Sequence, residues 1–295
     1  MRIVSLLPSA TEILFAVGAG DDVAGVTFEC DFPDEARSRT IVSTSALRPG
    51  LTPAEIDAEV RQRIAAGEDL YHLDEGALEE LAPDLVVTQD LCAVCAVDVS
   101  SVDAAMAHLG CDGRVLTVDP QTLDEVIASI ITIGTATGRE PRARDLAAEA
   151  TERLAAVRRA VDGLPRPGVA VVEWTDPPFC AGHWVPDMVT AAGGTALLGR
   201  PGENSLRISW EDVAAATPDV VVIAPCGYRL PGAIALAQQA IEEGLTPAGV
   251  PVWAVDADAA YVRPGPRLVE GVEALAAVLH PGAVPARDDL AQRVG

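Results

Sequence analysis

Short apolar runs alternate with amphipathic stretches along most of this chain, a pattern typical of buried strands alternating with helices. Runs at 2–7, 168–173 and 252–255 predict strands. Two of the helical stretches begin with capping boxes, at Thr52 and at Thr122. Because strands and helices alternate, the pattern predicts an α/β fold with mostly parallel, helix-covered sheets. The first helix is predicted over Glu12–Val17.

The longest amphipathic stretch runs from Glu140 to Gly163. Its apolar positions recur at spacings of three and four and form one stripe: Leu146, Ala150, Leu154, Val157 and Val161. Pro141 suits a first helical turn, and Gly163 with the prolines after it ends the helix. At 1.5 Å per residue such a helix is roughly 36 Å long. We interpret it as a connector between two lobes.

The strand–helix pattern restarts after this helix, and one internal similarity supports two lobes of similar build. LAPDLVVTQDLC at 81–92 and ATPDVVVIAPCG at 216–227 share a helix end, Pro-Asp, a Val-rich strand and a cysteine. The alternative is that Pro-Asp-Val-Val is simply a common way to begin a strand. The predicted organisation is an N-terminal lobe at 1–120, a helical connector at 121–163 and a C-terminal lobe at 164–295. The tail after Pro281 is expected to fray.

Composition and charge exclude some classes of protein. The chain has 295 residues, 49% hydrophobic and 22% charged, which is ample for packed cores. A net charge of −23 excludes a general nucleic-acid binder, which needs a basic surface. The N-terminal segment lacks the pattern of a signal peptide, and no run approaches the ~20 apolar residues of a membrane helix. The expectation is a cytoplasmic protein without membrane insertion.

Polar, aromatic and sulfur-containing side chains concentrate where predicted strands end. Ligands of open α/β sheets bind beyond the carboxyl ends of the strands, so these side chains are candidates for a ligand site. The candidate ligand-binding residues are Ser9, Glu29, Asp31, Gln89, Asp90, Glu173, Trp174, Asp176, His183, Trp184, Tyr228, Tyr261 and Arg263.

Cysteine spacing raises a second possibility. Cys92 and Cys95 form a CxxC pair, which can ligate zinc or an iron cluster or act as a redox pair. Further ligands would have to come from Cys30, Cys226, His183 or a carboxylate. The alternative is that these cysteines are small buried apolar residues, since free cysteine is often buried.

Signatures of several enzyme classes are missing from the sequence. It has no GxSxG elbow, no GxxxxGK[ST] phosphate loop and no GxGxxG after the first strand. Nucleotide-dependent catalysis is therefore not supported, and no catalytic residue is assigned.

Over about residues 1–280 the sequence resembles the substrate-binding proteins of vitamin B12, haem and siderophore ABC importers, and among them the cobalamin-binding proteins most. The segments that carry the resemblance are VSLLPSATEILFAVG at 4–18, GVTFECDFP at 25–33, APDLVVTQDLC at 82–92, DPPFCAGHWVPDMVTAAGGTALLG at 176–199 and RPGPRLVEGVEAL at 263–275. The resemblance implies two Rossmann-like α/β lobes bridged by a single long backbone helix. It also implies a ligand held in the cleft between the lobes, little hinge motion and ABC transporter components as partners.

The sequence departs from this family in its aromatic positions. Where cobalamin receptors of the family line the cleft with aromatic side chains, the matching positions hold Glu29, Gln89, Glu173 and Ala260. Trp174, Trp184 and Tyr261 are other sources of aromatic surface. The segment 47–73 is an insertion relative to the family pattern and a candidate lid.

Two functional hypotheses follow. The first is a non-catalytic protein that binds a corrinoid, such as cobalamin, or another metal-containing small molecule, with His183 or Cys92 as a ligand of its metal. The second is a cytoplasmic metalloenzyme or metal or redox sensor. In it Cys30, Cys92, Cys95 and Cys226 bind zinc or an iron cluster, and His183 is a further ligand, or His183 or Glu173 acts as an acid/base.

Overall fold

The computed structural model describes residues 1–89 and 113–295. The chain divides into two compact units, and each is built from two stretches of sequence. Unit 1 comprises Met1–Pro120 and Ala128–Ala147, and unit 2 comprises Gln121–Ile127 and Ala148–Gly295. Among the described helices, none combines the length and the hydropathy that crossing a lipid bilayer requires.

In its described part, unit 1 has a sheet with the strand order β4-β3-β2-β1-β5-β6. All neighbours pair in parallel except β3 and β4, which are antiparallel. The inner order β3-β2-β1-β5-β6 is that of a Rossmann half, whose order reverses between β1 and β5. The strands are β1 Ile3–Ser5, β2 Val23–Thr27, β3 Thr40–Ser45, β4 Tyr71–Leu73, β5 Leu85–Thr88 and β6 Arg114–Thr117.

Apolar side chains cover both faces of this sheet. Alternate residues of β1 point to opposite faces, so that Ile3 packs in one core cluster and Val4 in another. Three helices, α1, α4 and α5, contribute to the cluster around Ile3, and α3 contributes Leu78 to the other. Among the described residues of the first half of the chain, the helices are α1 Pro8–Ala16, α2 Pro53–Ala66, α3 Glu75–Leu81, α4 Leu123–Ala136 and α5 Glu140–Val161.

The described part of unit 2 has a second sheet with the strand order β10-β8-β7-β11-β12-β13, and β9 also pairs with β7. The central strands β7, β11 and β12 are parallel, whereas β8, β10 and β13 pair in antiparallel orientation. The strands are β7 Gly168–Thr175, β8 Pro178–Cys180, β9 Thr195–Ala196, β10 Leu206–Arg207, β11 Val220–Ile223, β12 Val252–Val255 and β13 Ala291–Arg293. The helices are α6 Val185–Ala191, α7 Trp210–Ala215, α8 Leu230–Glu242, α9 Ala257–Ala260 and α10 Leu268–Leu279.

Helix α5 confirms the prediction of a long helix and ends two residues before the predicted Gly163. The predicted apolar stripe is covered: Leu154 and Val157 are buried, and Leu146 is partly buried against the first core cluster. Residues 140–147 of the helix belong to unit 1 and residues 148–161 to unit 2. Within unit 2, Arg153 donates two hydrogen bonds of 2.9 and 2.8 Å to the carboxylate of Glu273.

Two local predictions are wrong. The first helix begins at Pro8 and not at Glu12, because proline at the first helical position fixes the backbone angle that a helix needs. The segment after Pro281 is not frayed: β13 pairs with β12, and Ala291 is buried there. A three-residue strand whose partner is about forty residues away leaves little trace in a local pattern.

Candidate functional site

In unit 1 the predicted polar residues lie beyond the carboxyl ends of parallel strands. Ser9 follows β1, Gln89 follows β5, and both are 5% exposed. Because the strand order of the sheet reverses between β1 and β5, this is the place where open α/β sheets bind ligands. Glu29 and Asp31 follow β2 and are partly buried. Asp90 lies outside the described residues.

Cys30 has a structural role at this edge of the sheet. Its thiol is 2% exposed and lies 3.0 Å from the hydroxyl of Thr11. The Thr11 hydroxyl also lies 2.9 Å from the hydroxyl of Ser5 and 3.1 Å from the carbonyl oxygen of Leu7. This hydroxyl–thiol network connects the loop after β2 to the start of α1, and it places the Cys30 side chain in the first core cluster.

The same loop presents two phenylalanines to solvent, which the sequence analysis missed. Phe28 is 41% exposed and Phe32 is 44% exposed, although both flank the buried Cys30. The ring of Phe28 lies 6.4 Å from that of Tyr71, at the start of β4. Asp31 forms an ion pair of 3.5 Å with Arg37. Unit 1 therefore has exposed aromatic side chains at its strand-end edge. They lie next to Glu29, one of the positions where the sequence lacks an aromatic residue.

In unit 2, aromatic side chains lie at the ends of β7 and β11. The rings of Trp174 and Tyr228 are 6.0 Å apart and meet edge to face at 63°. The indole N–H of Trp174 donates to the carbonyl oxygen of the exposed Asp176 at 3.1 Å. The backbone N–H of Cys226 donates to the carbonyl oxygen of Glu173, so the ends of the two strands are held together. Partial burial raises the pKa of the Tyr228 phenol.

The segment after β12 supplies a buried ion pair. The guanidinium of Arg263 donates to the carboxylate of Asp258 at 2.7 Å, and each side chain is 12% exposed. The backbone N–H of Asp258 donates to the carbonyl oxygen of Tyr228, which joins this pair to the end of β11. Asp258 was not among the residues that the sequence indicated, since an aspartate in the first turn of a helix is common without any special partner.

Two predicted aromatic contacts, Trp184 and Tyr261, are packed in the interior of unit 2. Their exposed fractions are 5% and 1%. The Trp184 indole donates to the carbonyl oxygen of Tyr261 at 2.7 Å, and the Tyr261 hydroxyl donates to that of Gly271 at 3.0 Å. Complete burial raises the pKa of the Tyr261 phenol. Their role as ligand contacts stays a prediction.

His183 is held in an unusual backbone conformation. Its φ is 51°, its N–H donates to the carbonyl oxygen of Glu203 at 2.7 Å, and its own carbonyl oxygen accepts from Gly202 at 3.0 Å. A methyl group on Gly182 would meet that Glu203 oxygen at 2.5 Å, so only glycine fits there. Burial lowers the pKa of His183, and a hydrogen bond with the Asn204 side chain opposes this shift. Its Nε2 is buried and lacks a hydrogen-bond partner among the described residues.

The metal hypothesis is tested only in part. Cys226 is exposed, and Cys30 and Cys180 are buried thiols. Burial raises the pKa of Cys180. Within residues 1–89 and 113–295, no group of three or more His, Cys, Asp or Glu side chains is arranged to hold a metal ion. Cys92 and Cys95 lie outside these residues, so a site that includes them stays a prediction.

A family model described as "Periplasmic binding protein" matches residues 3–246 of this chain, well over half of its length. The chain belongs to the periplasmic binding protein family. The predicted resemblance is thereby confirmed. The predicted fold class, two Rossmann-like α/β lobes with a long helix, is confirmed with it.

Three relatives of this periplasmic binding protein have informative names. An uncharacterized ABC transporter substrate-binding lipoprotein, YvrC from Bacillus subtilis, is 27% identical over 298 residues, which cover 95% of this chain and 80% of the relative. The vitamin B12-binding protein of Vibrio parahaemolyticus is 33% identical over 97 residues, 28% of this chain and 35% of that protein. The apo structure of the periplasmic heme-binding protein RhuT from Roseiflexus sp. RS-1 has a TM-score of 0.71 and 25% identity, and the match covers 96% of this chain and 98% of RhuT.

The expectation of a cytoplasmic protein is wrong. The relatives are a lipoprotein and a periplasmic protein, and they point to an extracytoplasmic location. The expectation rested on the first residues of the sequence, which do not by themselves determine a compartment. The hypothesis of a cytoplasmic metalloenzyme or sensor assumed a cytoplasmic location and loses that support.

Proposed function

We propose that this periplasmic binding protein binds a flat, metal-containing organic ligand, a corrinoid such as cobalamin or a haem, for an ABC importer. The observation that carries the proposal is the Trp174–Tyr228 pair at the ends of β7 and β11. Flat conjugated or macrocyclic ligands gain from packing on aromatic rings, which bury a large apolar area at a small entropic cost. The names of the vitamin B12-binding and heme-binding relatives support the same ligand class.

Polar groups next to the aromatic pair suit the rim of such a ligand. Glu173 precedes Trp174 in β7, and the Asp258–Arg263 pair is joined to Tyr228 through the backbone. Corrinoids carry amide side chains, whose N–H groups can donate to the Glu173 carboxylate, and haem carries carboxylates, which can accept from the Arg263 guanidinium. In unit 1 the exposed Phe28 and Phe32 are a separate candidate surface for an apolar ligand.

The proposed partner is an ABC importer that receives the ligand from this protein outside the cytoplasm. The lipoprotein relative named as an ABC transporter substrate-binding protein supports this assignment. The protein itself would perform no chemistry on its ligand, and its contribution would be selection and delivery. No observation on the described residues favours a catalytic alternative.

The test is a titration of the purified chain with cyanocobalamin and, separately, with hemin. Visible absorbance reports on the ligand, and the part of the tryptophan fluorescence change that Trp174→Ala removes reports on Trp174. We expect saturable binding of one ligand with a Kd of about 1 μM or below, and at least a tenfold weaker Kd for Trp174→Ala. A loss of about 1.4 kcal/mol gives a tenfold change, and central aromatic anchors commonly contribute more.

The matched control is Leu164→Ala, which removes an apolar side chain that is 40% exposed in the connection before β7. It should leave the Kd unchanged. If the wild-type chain binds neither ligand, the assignment to tetrapyrrole-like ligands is wrong. Equal affinity of wild type and Trp174→Ala would instead remove the aromatic pair from the site.

A further inference from the structure

One helix of unit 1 differs from the rest in how it is attached. The segment 47–70, here called the flap, lies between β3 and β4 and contains α2. Ser45 at the end of β3 pairs with Tyr71 at the start of β4, so the flap leaves and rejoins the sheet at the carboxyl end of β3. This is the edge that carries Phe28, whose ring contacts Tyr71.

The helix of the flap carries its own end signals. The Thr52 hydroxyl accepts from the N–H of Glu55, and the Glu55 carboxylate accepts from the N–H of Thr52, which completes a capping box. Hydrogen bonding to Thr52 lowers the pKa of Glu55. At the other end, Gly67 takes the left-handed conformation, with φ of 70°, that commonly ends a helix. The helix can therefore keep its shape without much help from the rest of unit 1.

Little of the flap helix is buried. Of its 14 residues only Val60 is buried, and Ile64 on the same stripe is 48% exposed. By contrast, six of the nine residues of α1 are buried. Since most helix stability in proteins comes from packing of an apolar face, the flap is attached much more weakly than α1.

The side-chain contact that joins the flap helix to Ala46 and the ion pairs that lie within the flap involve charged groups. The guanidinium of Arg63 donates to the carbonyl oxygen of Ala46 at 3.1 Å and pairs with Glu59 and Glu68 at 3.4 and 3.5 Å. Arg48 pairs with Glu59 at 3.3 Å. Surface ion pairs contribute little and are screened by salt. The Nε of Arg63 is also buried without a hydrogen-bond partner among the described residues, which weakens this attachment further.

We propose that the flap opens and closes over the strand-end edge of unit 1 and controls access of the ligand to it. Two backbone positions could act as hinges. Gly50 and Gly67, which lie on either side of the helix, have positive φ values of 82° and 70°, and a Cβ at either would meet nothing within 4 Å. Arg63 holds the flap in its closed position, because its guanidinium joins the helix to Ala46 after the end of β3. The movement stands on the structure alone, and the role in ligand access rests on the proposed function.

The experiment is hydrogen exchange on the ligand-free chain, comparing wild type, Arg63→Gln and Arg61→Gln. Arg61 lies on the same helix, but its ion pair with Asp57 stays within that helix, so it is a matched control for the loss of one positive charge. In the wild type we expect amides of 53–66 to exchange at least roughly tenfold faster than those of α1. Arg63→Gln should accelerate exchange of 53–66 a further fivefold or so, the effect of losing about one hydrogen bond.

Exchange of 53–66 as slow as that of α1, or equal acceleration by Arg63→Gln and Arg61→Gln, would show that the helix is a fixed part of unit 1 and would overturn the proposal. A second measurement adds cyanocobalamin or hemin. Closure over the ligand predicts that saturation slows exchange of 53–66 at least about fivefold, since that closed state becomes the populated one. Unchanged exchange on binding would overturn the access role, whereas a wild-type chain that binds neither compound contradicts the proposed function and leaves the ligand-free comparison valid.

Discussion

The strand-end loops of the two units are held in place by different chemistry. In unit 1 the loop after β2 is anchored in the core by the neutral contacts of Cys30, Thr11 and Ser5, whereas its ion pair between Asp31 and Arg37 has an exposed guanidinium. In unit 2 the corresponding segments are connected by the edge-to-face pair of Trp174 and Tyr228 and by a buried ion pair. Comparing the stability of the two edges therefore distinguishes two kinds of contact. Apolar and hydroxyl contacts are insensitive to pH, whereas the ion pair depends on charge.

The two units can be followed separately, which makes the comparison measurable. All four tryptophans of the chain belong to unit 2. Tryptophan fluorescence thus reports directly on unit 2, whereas unit 1 can be read from hydrogen exchange of its strands. Each variant below is placed in one unit, and its expected effect is confined to the contacts described for that unit.

The largest effect is expected for Tyr261→Ala in unit 2. Removal of a fully buried ring should lower the free energy of unfolding by about 3–5 kcal/mol, because a cavity replaces its packing. Urea denaturation followed by tryptophan fluorescence measures this loss. Tyr261→Phe is the control, since it keeps the ring and removes only the hydrogen bond to Gly271, at a cost of about 1–2 kcal/mol. Equal losses for both variants would mean that the hydroxyl and not the ring is the important group.

A smaller effect is expected for Thr11→Val in unit 1. Valine has nearly the shape of threonine but leaves Ser5 and Cys30 without the central hydroxyl, which should cost about 1–3 kcal/mol. Hydrogen exchange of β1 and β2 measures the loss, and Thr11→Ser should retain most of the stability because it keeps the hydroxyl. Full stability of Thr11→Val would show that the network is dispensable and that apolar packing alone holds the loop.

The smallest effect is the pH dependence due to His183. Burial lowers its pKa in the folded chain below the ordinary 6.5, so the unfolded chain binds the proton more readily. The stability that depends on neutral His183 is therefore complete above pH 6.5 and is lost as the pH falls below 6.5 toward the lowered pKa. His183→Asn should reduce the loss of stability between pH 7.5 and pH 5, because asparagine tolerates positive φ and does not titrate.

The matched control for this titration is His72→Asn, in the exposed part of β4 in unit 1. It should not change the pH dependence of unfolding as followed by tryptophan fluorescence. If His183→Asn keeps the pH dependence of stability seen in the wild type, other groups cause the pH sensitivity of unit 2. The Asp258–Arg263 pair would then be the next to examine.

Features encoded by neighbouring residues were predicted well from the sequence. The capping boxes at Thr52 and Thr122 form as expected, because the residues that pair lie three positions apart. The apolar stripe of α5 is also a local signal, and it correctly predicted the buried face of that helix. The strand-end position of Gln89 followed from the same kind of pattern, whereas Glu173 lies inside β7, which runs two residues further than predicted.

Features that depend on distant partners were not predictable. The burial of Cys30 depends on Thr11, and the exposure of the two phenylalanines beside it follows from that anchor. The shielding of His183 depends on Asn204 and Glu203, which come about twenty residues later. In each case the local residues allow several arrangements, and only the tertiary contacts select one.

Because each unit is assembled from two stretches of chain, no single cut in the gene yields two self-sufficient fragments. A fragment that begins at residue 164 would lack Leu154 and Val157, which are buried, and Arg153, whose guanidinium binds Glu273. A fragment that ends at residue 120 would lack Ile130 and Ala143 from the first core cluster. Reporter insertion, split-protein assays and exchange of lobes between relatives should therefore be designed around the interleaved stretches at 121–147.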